Sequence, residues 1–540
     1  MKRLVGSIGL LLIFLATGIA LQVRQSGAPP LAAALAPTPA SPSAAPAPVW
    51  IMDSGNLNTN RLVALDPASG AMLADITLLS YTSIVSSDGR WRYSVDITLQ
   101  NGSDYLELTT MDLQRGAITR VVTFGDWTLL MPRDPNDLNI QLALSRDNRL
   151  LAVTLTSKLE TRWYSDVYLY DTISGASRLD SHLPIPIQVF NEDLAEMPSV
   201  QTIVSADGQR VFVVEHRSRL PSSSEGSQPL WSTEIAVVNV ASQQVEKTIV
   251  VPGEIQADGS WMNGVLAPDG RTLYLIENIV RGNNSAGYRF VALDTAQLQV
   301  TISRLVDTPA GGSDFNIGTP GLRFTSDGQF LLGFTGRVDQ AGNYAYAFRF
   351  LDTRNGEVSE TPLQRAVQGA NFDPIYTVAS SDGNLLYLIF AQTREIIVFD
   401  LAQRAVVKRT VLQDSQSSLS TGLDRLAQLF VTPVSAKFYA QPSAILSPDG
   451  QRLYFVDVKD MDSGDGFWAV DASTLKPLGH WLRGKEVTGI QFSADGSELY
   501  ALGVKEHALY VIDSLTGAVR RAFDQNLSQP GGFLTIGGTQ

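Results

Sequence analysis

The sequence predicts an all-β protein that forms a single β-propeller of eight or nine four-stranded blades. The main observation is a repeated turn, Ser/Ala/Pro-Asp-Gly, which stands between two short apolar strands in seven places, with a degenerate eighth copy at Arg146-Asp147-Asn148. A second repeat, an apolar strand that ends in Asp or Asn before a small turn, occurs nine times and alternates with the first along the chain. Four antiparallel strands repeated in this way are typical of propeller blades, which share their faces and leave few open edges.

The aspartates of both repeats are predicted to serve the turns themselves rather than to act as ligands or acids. Asp-Gly and similar pairs permit the positive φ that tight hairpins need, and the flanking apolar residues alternate as in strands. The first repeat occurs at Ser87-Asp88-Gly89, Ala206-Asp207-Gly208, Pro268-Asp269-Gly270, Ser326-Asp327-Gly328, Ser381-Asp382-Gly383, Pro448-Asp449-Gly450 and Ala494-Asp495-Gly496. The second repeat centres on Asp66, Asp112, Asp171, Asn239, Asp294, Asp352, Asp400, Asp471 and Asp513.

Each unit is interpreted as a meander of strands A, B, C and D, with the first repeat between A and B and the second between C and D. The first unit lacks strand A, because it begins directly with Val49-Trp50-Ile51-Met52. The C-terminal segment Phe533-Leu534-Thr535-Ile536 is expected to supply that strand, which would close the ring and cover both edges. The longest interruption, Gln413 to Ala440, is predicted to be an insertion with a short helical pattern.

The N-terminal segment 1–48 is predicted to precede the propeller, which occupies residues 49–540. Lys2 and Arg3 stand before an apolar run from Leu4 to Val23, so residues 1–24 fit either a cleaved signal peptide or an uncleaved signal anchor. Residues 25–48 form a spacer rich in Ala and Pro, which favours extended polyproline II. Because the positive residues come before the apolar run, we expect the propeller outside the cytoplasmic membrane, in the periplasm or at the cell surface.

The composition excludes several kinds of function. The chain has a formal net charge of −13 and scattered basic residues, so it repels phosphate backbones and nucleic acid is not an expected partner. It has no cysteine, which excludes disulfides, thiolate metal sites and a cysteine nucleophile. The four histidines, His182, His216, His480 and His507, show no metal-binding spacing and are expected to be exposed loop residues.

Three segments carry a resemblance to a known repeat. Leu446 to Val456, with Pro448-Asp449-Gly450 at its turn, resembles the core of the YVTN-type, WD40-like bacterial propeller repeat. Phe492 to Tyr500 repeats it, and Val511 to Gly517 resembles its second half. The resemblance covers most of residues 49–523 and implies a propeller of the superfamily that contains the quinoprotein amine dehydrogenases. It implies a fold rather than one activity, because such repeats serve enzymes and binding scaffolds alike.

The B–C and D–A connections share one face of the predicted ring, and the longest segments between strands fall there. These segments are 124–141, 156–165, 183–199, 216–233, 277–287, 307–320 and 413–440. Long loops on one side of a rigid scaffold favour binding. Trp127, Trp163, Trp231 and Trp261 lie in or beside them, and exposed aromatic side chains there would suit stacking on a peptide or a sugar. The alternative is that these tryptophans pack their own loops against the ring.

One acidic stretch is a candidate calcium loop. Asp457 stands before the stretch Asp460-Met461-Asp462-Ser463-Gly464-Asp465-Gly466 and Asp471 after it. The carboxylates of Asp460, Asp462 and Asp465 could supply oxygen ligands on this glycine-bent loop. The pattern departs from an EF-hand loop, since the fifth position is Gly464 and the sixth is Asp465. The alternative is an ordinary solvated acidic connection between strands B and C.

The function expected from these features is a non-catalytic binding scaffold on the cell envelope, which binds another envelope or extracellular protein through its long loops. One alternative is an enzyme, since the resemblance includes lactonases and quinoprotein dehydrogenases. The docking repeat of quinoproteins continues to a Trp, which Asp66 to Gly70 lacks, and Asp471 to Leu475 lacks its Gly. A further alternative is a structural element of a surface layer.

Overall fold

The computed structural model describes most of the predicted propeller. Within the described residues the chain forms strands and turns, and no helix there is long and apolar enough to cross a membrane. The predicted segment 1–24, nearly all of the spacer and all of the insertion except Gln413 lie outside the described residues. The described residues are 47–53, 60–78, 82–100, 103–124, 138–159, 162–173, 185–189, 198–219, 228–281, 285–308, 323–325, 327–338, 344–365, 375–413, 444–460, 463–524, 527–528 and 530–534.

The strands form nine antiparallel sheets, which are the blades. Blade 1 contains β1 (Val49–Asp53), β2 (Asn60–Leu65) and β3 (Met72–Leu78). Blade 2 contains β4 (Ser83–Val85), β5 (Trp91–Gln100), β6 (Ser103–Asp112) and β7 (Ala117–Phe124). Blade 3 contains β8 (Leu138–Leu144), β9 (Leu150–Leu159), β10 (Arg162–Asp171) and β11 (Ile185–Val189). Blades 4 to 6 contain β12 (Ser199–Val204), β13 (Arg210–Arg219), β14 (Leu230–Asn239), β15 (Gln244–Val250), β16 (Ile255–Gln256); β17 (Gly259–Leu266), β18 (Thr272–Arg281), β19 (Ser285–Asp294), β20 (Gln299–Thr308); and β21 (Arg323–Phe324), β22 (Phe330–Val338), β23 (Tyr344–Asp352), β24 (Val358–Leu363).

Blades 7 to 9 contain β25 (Ile375–Ala379), β26 (Leu385–Phe390), β27 (Glu395–Asp400), β28 (Ala405–Val411); β29 (Ala444–Leu446), β30 (Arg452–Asp460), β31 (Ser463–Asp471), β32 (Pro477–Trp481); and β33 (Val487–Phe492), β34 (Glu498–Gly503), β35 (Ala508–Asp513), β36 (Val519–Phe523). The last strand, β37 (Pro530–Phe533), belongs to blade 1. Each blade runs A to D outward: A strands of neighbouring blades contact one another, while D strands form the outer edge.

The sequence left the number of blades at eight or nine, and the structure has nine. Strand A of blade 1 is β37, which pairs antiparallel with β1, so that Ile51 lies opposite Phe533. The paired strand therefore begins at Pro530, a few residues before the predicted segment. On its other side, blade 1 packs against blade 9, where Val49, Ile51 and Phe533 share one apolar cluster with Leu502 and Val511.

Apolar side chains fill the interface between each pair of neighbouring blades. Between blades 1 and 2, Trp50 is 1% exposed and packs with Leu62 and Met111. Its indole Nε1 donates to the carbonyl of Leu113 over 2.7 Å, so the polar atom of this large side chain is satisfied. Burial of such interfaces, at about 25 cal/mol per Å² of apolar surface, is the main force that holds one blade to the next.

The predicted turn role of the repeated aspartates is confirmed in the described blades. In an A–B turn, Oδ1 of Asp449 accepts the N–H of Gln451 over 3.0 Å, and Gly450 has a φ of 71°. In a C–D turn, Oδ1 of Asp513 accepts the N–H of Thr516 over 2.9 Å. That hydrogen bond is the largest of the causes that lower the pKa of Asp513 below its usual range. These carboxylates therefore stay ionised and hold the hairpins.

Several connections predicted as long loops are strands in the structure. The strands β9 and β10, β13 and β14, and β18 and β19 are each ten residues long and take up most of the predicted segments 156–165, 216–233 and 277–287. Cross-strand pairing continues beyond the core of the blades, and Trp163, Trp231 and Ile279 on these strands are still buried. In blade 3, β11 lies inside the predicted segment 183–199, and the long segment 172–184 connects strands C and D on the opposite face.

Candidate functional site

The extended B and C strands carry polar side chains past the apolar core, toward the face that holds the B–C and D–A connections. We call this side of the ring the long-connection face. Along β13, Phe212 and Val214 belong to the core between blades 4 and 5, and the next position on the same side is His216. Along β18, Leu275 belongs to that core and is followed on the same side by Glu277. The ends of these hairpins therefore bring polar groups together between blades.

The first such group, the His216 cluster, lies between blades 4 and 5. Its members are His216, Trp231, Thr233, Glu277 and Arg289. Nδ1 of His216 lies 2.8 Å from Oγ1 of Thr233, which donates to Oε1 of Glu277 over 2.6 Å. Oε2 of Glu277 accepts from Nε of Arg289 over 2.6 Å. The imidazole stacks on the indole of Trp231 with ring centroids 5.1 Å apart. His216, Thr233 and Glu277 are completely buried.

This hydrogen-bond chain fixes the tautomer of His216. Thr233 has one hydroxyl proton, and it goes to Glu277 because an ionised carboxylate can only accept. Nδ1 of His216 must then donate to Thr233, so Nε2 is the unprotonated nitrogen. Nε2 has no hydrogen-bond partner among the described residues. Burial lowers the pKa of His216 to about 4, which keeps the ring neutral at ordinary pH.

The connection 251–258 from strand D of blade 4 covers the His216 cluster. Its short strand β16 pairs with the start of β14, and Nε1 of Trp231 donates to the carbonyl of Ala257 over 3.1 Å. Arg289 donates through Nη1 to the carbonyls of Pro252 and Gly253. The same guanidinium therefore binds Glu277 below and the covering segment above, which seals this end of the interface.

Glu215 lies beside His216 on β13 but faces the opposite way, toward blade 3. Its carboxyl is almost completely buried, and Ser165 is its hydrogen-bond partner. Burial raises the pKa of Glu215 to about 7, with nearby Glu234 adding to the shift. One hairpin thus carries two adjacent side chains whose pKa values burial moves in opposite directions.

The second group, the His480 cluster, lies between blades 7 and 8. Its members are Arg394, Asp457, Asp465, Trp468, His480 and Arg483. Nε of Arg394 donates to Oδ1 of Asp457 over 2.8 Å, and Oδ2 of Asp457 lies 3.2 Å from Nε2 of His480. The imidazole stacks on Trp468 with centroids 4.4 Å apart and an interplanar angle of 8°. Asp457 is completely buried, whereas Arg483 is exposed on the long-connection face.

His480 has the opposite tautomer from His216. Nε of Arg483 donates to Nδ1 of His480 over 2.8 Å, and a guanidinium N–H cannot accept. Nδ1 is therefore unprotonated, and the proton is on Nε2, which lies 2.6 Å from the carbonyl oxygen of Asp465. The carboxyl of Asp465 accepts the N–H of Gly484 over 2.6 Å. The connection 482–486 is thus held to the blade by both Asp465 and His480.

Among the three aspartates of the predicted calcium loop, the structure describes the side chain of Asp465 alone. Asp465 joins Asp457 and His480, and ligand atoms of these three residues lie within 4.8 Å of one another. The backbone of Asp460 ends β30 opposite Ser463, and its side chain lies outside the described residues. Asp462 lies outside the described residues altogether, so calcium binding by the loop stays a prediction. Asp457 flanks the acidic stretch in the sequence, whereas no sequence pattern connected His480 with Asp465.

The described tryptophans of the predicted partner face point into the ring. Trp231 is 5% exposed and packs with Ile255 and Ile279. This packing agrees with the alternative that the tryptophans pack locally against the ring. Trp163, on β10, is also 5% exposed. Neither offers an aromatic surface for stacking, because both side chains are buried. Trp261 is on β17 with its side chain outside the described residues, and Trp127 lies outside them entirely.

The expectation that the histidines are exposed is wrong for two of them. His216 is completely buried, and the side chain of His480 is 4% exposed. His507 is exposed in a turn of blade 9, and His182 lies outside the described residues. The signal that could have found His216 and Glu277 is the period-2 pattern, in which each takes the next inward position after two core residues.

The nine sheets define the chain as a β-propeller, the fold that the repeat resemblance implied. No protein-family profile and no curated protein matches the sequence.

Solved structures similar to this chain include hydrazine synthase of Kuenenia stuttgartiensis, with a TM-score of 0.35 and 16% identity over 73% of this chain and 95% of that chain. The dihydro-heme d1 dehydrogenase NirN has a TM-score of 0.40 and 14% identity over 93% of this chain and 78% of that chain. Apo AztD from Citrobacter koseri has a TM-score of 0.37 and 9% identity over 90% and 96%. Likenesses this distant carry no argument about function.

Proposed function

We propose that this chain is an exported, envelope-associated propeller that works as a non-catalytic scaffold and binds another envelope or extracellular protein. The observation that supports this function is the unequal length of the connections on the two faces. Segments 125–137, 309–322 and 412–443 connect D strands to A strands. Each of them is more than twice as long as the A–B turn 205–209 or the C–D turn 514–518.

A rigid ring with long connections on one side is a suitable binding scaffold. The nine packed interfaces fix the blades, and the connections can vary in sequence without disturbing the sheets that carry them. Apart from the C–D segment 172–184 of blade 3, the connections of the opposite face are short turns that leave little chain for a partner. The N-terminal apolar run supports export, and the Ala/Pro spacer would hold the ring away from the membrane.

Site-specific photo-cross-linking of the full chain in native envelopes tests this function. A benzophenone amino acid replaces Asp258 or Lys505 on the long-connection face, or Ser242 or Gln403 in C–D turns of the opposite face; all four positions are exposed. We expect one and the same protein to be cross-linked from the first two positions and not from the other two. Equal cross-linking from both faces, or none from either, would refute the scaffold function.

A further inference from the structure

We propose that Asp457, Asp465 and His480 form a binding site for a transition-metal dication of the zinc class. The ligand atoms of the three side chains lie within 4.8 Å of one another. The site is at the end of blade 8, on the long-connection face; the side chain of His480 is 4% exposed, but Asp465 is only partly buried and Arg483, which contacts His480, is exposed. An ion can therefore approach from solvent without opening the interface between the blades.

The spacing of the donor atoms fits zinc. Nε2 of His480 and Oδ2 of Asp457 lie 3.2 Å apart. Two ligands that are each about 2.0–2.1 Å from a tetrahedral zinc ion are about 3.3 Å from one another. These two atoms therefore already stand at the separation of one edge of a zinc tetrahedron. The carboxylate of Asp465 and a water molecule can complete the four ligands.

The surroundings hold two of the ligands in place before any ion binds. Trp468 stacks on the imidazole of His480 and fixes the plane of the ring. Arg394 donates to Oδ1 of Asp457, while Oδ2 accepts no hydrogen bond within the described part of the chain. Nη2 of Arg394 forms an ion pair with Oδ2 at 2.8 Å, and Nε2 of His480 lies 3.2 Å from the same oxygen. A hydrogen-bonded carboxylate beside an oriented imidazole is the usual support of a metal site.

The donor set distinguishes this site from the calcium loop expected from the sequence. Calcium prefers six to eight oxygen ligands, whereas an imidazole nitrogen suits zinc and its neighbours in the first transition series. The set of one imidazole and two carboxylates has too few oxygens for calcium. With a neutral imidazole, the two carboxylates and the two arginines of the cluster have no net charge; once Arg483 has left the ring, the remaining net charge of −1 favours a dication.

Arg483 competes with the metal. In the structure it donates to Nδ1 of His480, so the ring proton is on Nε2. A metal on Nε2 requires that this proton move to Nδ1, and Arg483 must then release the ring because two donors cannot face each other. The proton is relocated within the ring and none is released to solvent. Removal of Arg483 should therefore strengthen metal binding, since it removes both the competing contact and a positive charge.

Calorimetric titration of the full chain with zinc chloride tests the site. We expect one site in the wild type, a loss of at least ~10-fold in affinity for His480→Gln and Asp465→Asn, and a gain of several-fold for Arg483→Ala. His507→Gln is the matched control, because His507 is an exposed histidine of blade 9, and it should leave the affinity unchanged. Circular dichroism and the unfolding midpoint of each variant establish that it is folded.

Three results would overturn the zinc site. Zinc affinity that His480→Gln leaves unchanged would place the ion on other groups. The absence of zinc binding in both the wild type and Arg483→Ala would show that Arg394 and the hydrogen bonds already satisfy the cluster. Calcium binding that Asp465→Asn abolishes and His480→Gln preserves would assign the acidic loop as an oxygen site instead.

Discussion

The His216 and His480 clusters are built from the same kinds of groups but differ in how they are covered. Each has a histidine stacked on a tryptophan and a buried carboxylate paired with an arginine. The side chain of Arg289 in the His216 cluster is 4% exposed, and that of Arg394 in the His480 cluster is 19% exposed. The first is sealed by the connection 251–258, whereas the second is held by Arg483 from the surface.

This difference shows how a repeated fold can produce two kinds of site from one arrangement. A D–A connection that adds a strand to its own blade closes the polar end of an interface. A shorter connection that contacts the end of the blade through one exposed side chain leaves it accessible. The connections on the long-connection face, rather than the blades, therefore determine which polar clusters can meet a ligand.

The largest effect is expected from loss of the charge of Glu277. Glu277→Gln leaves Arg289 buried with only carbonyl partners and the amide, and should lower the free energy of unfolding by about 3–5 kcal/mol. Urea unfolding at pH 7.5 measures the change. The control is Glu246→Gln, whose partner Arg210 is 28% exposed, and it should cost less than about 1 kcal/mol. Equal costs for the two variants would disprove that the first cluster is sealed.

The sealed histidine should make stability depend on pH. The pKa of His216 is about 4 in the folded chain and ~6.5 in an unfolded one, so the unfolded state binds a proton first as pH falls. The contribution of His216 to the free energy of unfolding is complete above pH ~6.5. As pH falls toward 4, that contribution decreases by about 3 kcal/mol. His480→Gln is not expected to remove this loss, whereas His216→Gln is.

Glu215 must be removed to see the effect of His216 alone. The pKa of Glu215 is about 7 in the folded chain, above its value in the unfolded chain. The contribution of Glu215 to the free energy of unfolding is therefore lost as pH rises from ~4.5 toward 7. In the wild type, His216 makes the free energy of unfolding rise with pH and Glu215 makes it fall, so the two effects partly cancel. The comparison is therefore between Glu215→Gln and Glu215→Gln with His216→Gln, unfolded in urea at pH 7 and pH 4.5. The same pH dependence in both would contradict a buried, neutral His216.

A smaller loss is expected at the open cluster. Asp457→Asn removes the charge that Arg394 and His480 contact, but Arg394 reaches solvent, so the cost should be about 2 kcal/mol. Unfolding midpoints in urea, compared with those of Glu277→Gln, give the ratio of the two effects. A cost for Asp457→Asn as large as that of Glu277→Gln would mean that the second cluster is as sealed as the first.

The smallest effect is expected for Arg483→Ala, which should change the free energy of unfolding by less than about 1 kcal/mol because the side chain is exposed. Thermal melting of the variant beside Arg115→Ala, an exposed arginine in a C–D turn, is the measurement. A loss for Arg483→Ala as large as that expected for Asp457→Asn would make Arg483 a structural support rather than a removable competitor of the metal.

The blades could be predicted from the sequence because their signals are local. Each A–B and C–D turn is encoded within a few residues, as at Asp449-Gly450 and Asp513, and the hydrogen bonds confirm those roles. The final count needed the pairing of β1 with β37, which joins the two ends of the propeller sequence. Prediction placed that strand a few residues late because the tail carries no repeat of its own.

The polar clusters could be predicted only in part. Their contacts cross between blades, so Thr233 meets Glu277 and Arg394 meets Asp457 only once the sheets have packed. The acidic stretch contains Asp465, but the neighbours of Asp465 in the structure, Asp457 and His480, come from β30 and β32. A histidine or a glutamate at an inward position of a strand is the local signal that remains for such sites.

Nuclear magnetic resonance of the chain labelled with ¹⁵N-histidine tests most directly whether one cluster is sealed and the other open. Only four histidines contribute signals, and His→Gln variants assign them. We predict that His216 carries its proton on Nδ1 and does not respond to zinc chloride, while His480 carries its proton on Nε2 and its Nε2 signal shifts when zinc is added. A proton on Nε2 of His216, or the same response of both rings to zinc, would contradict the account.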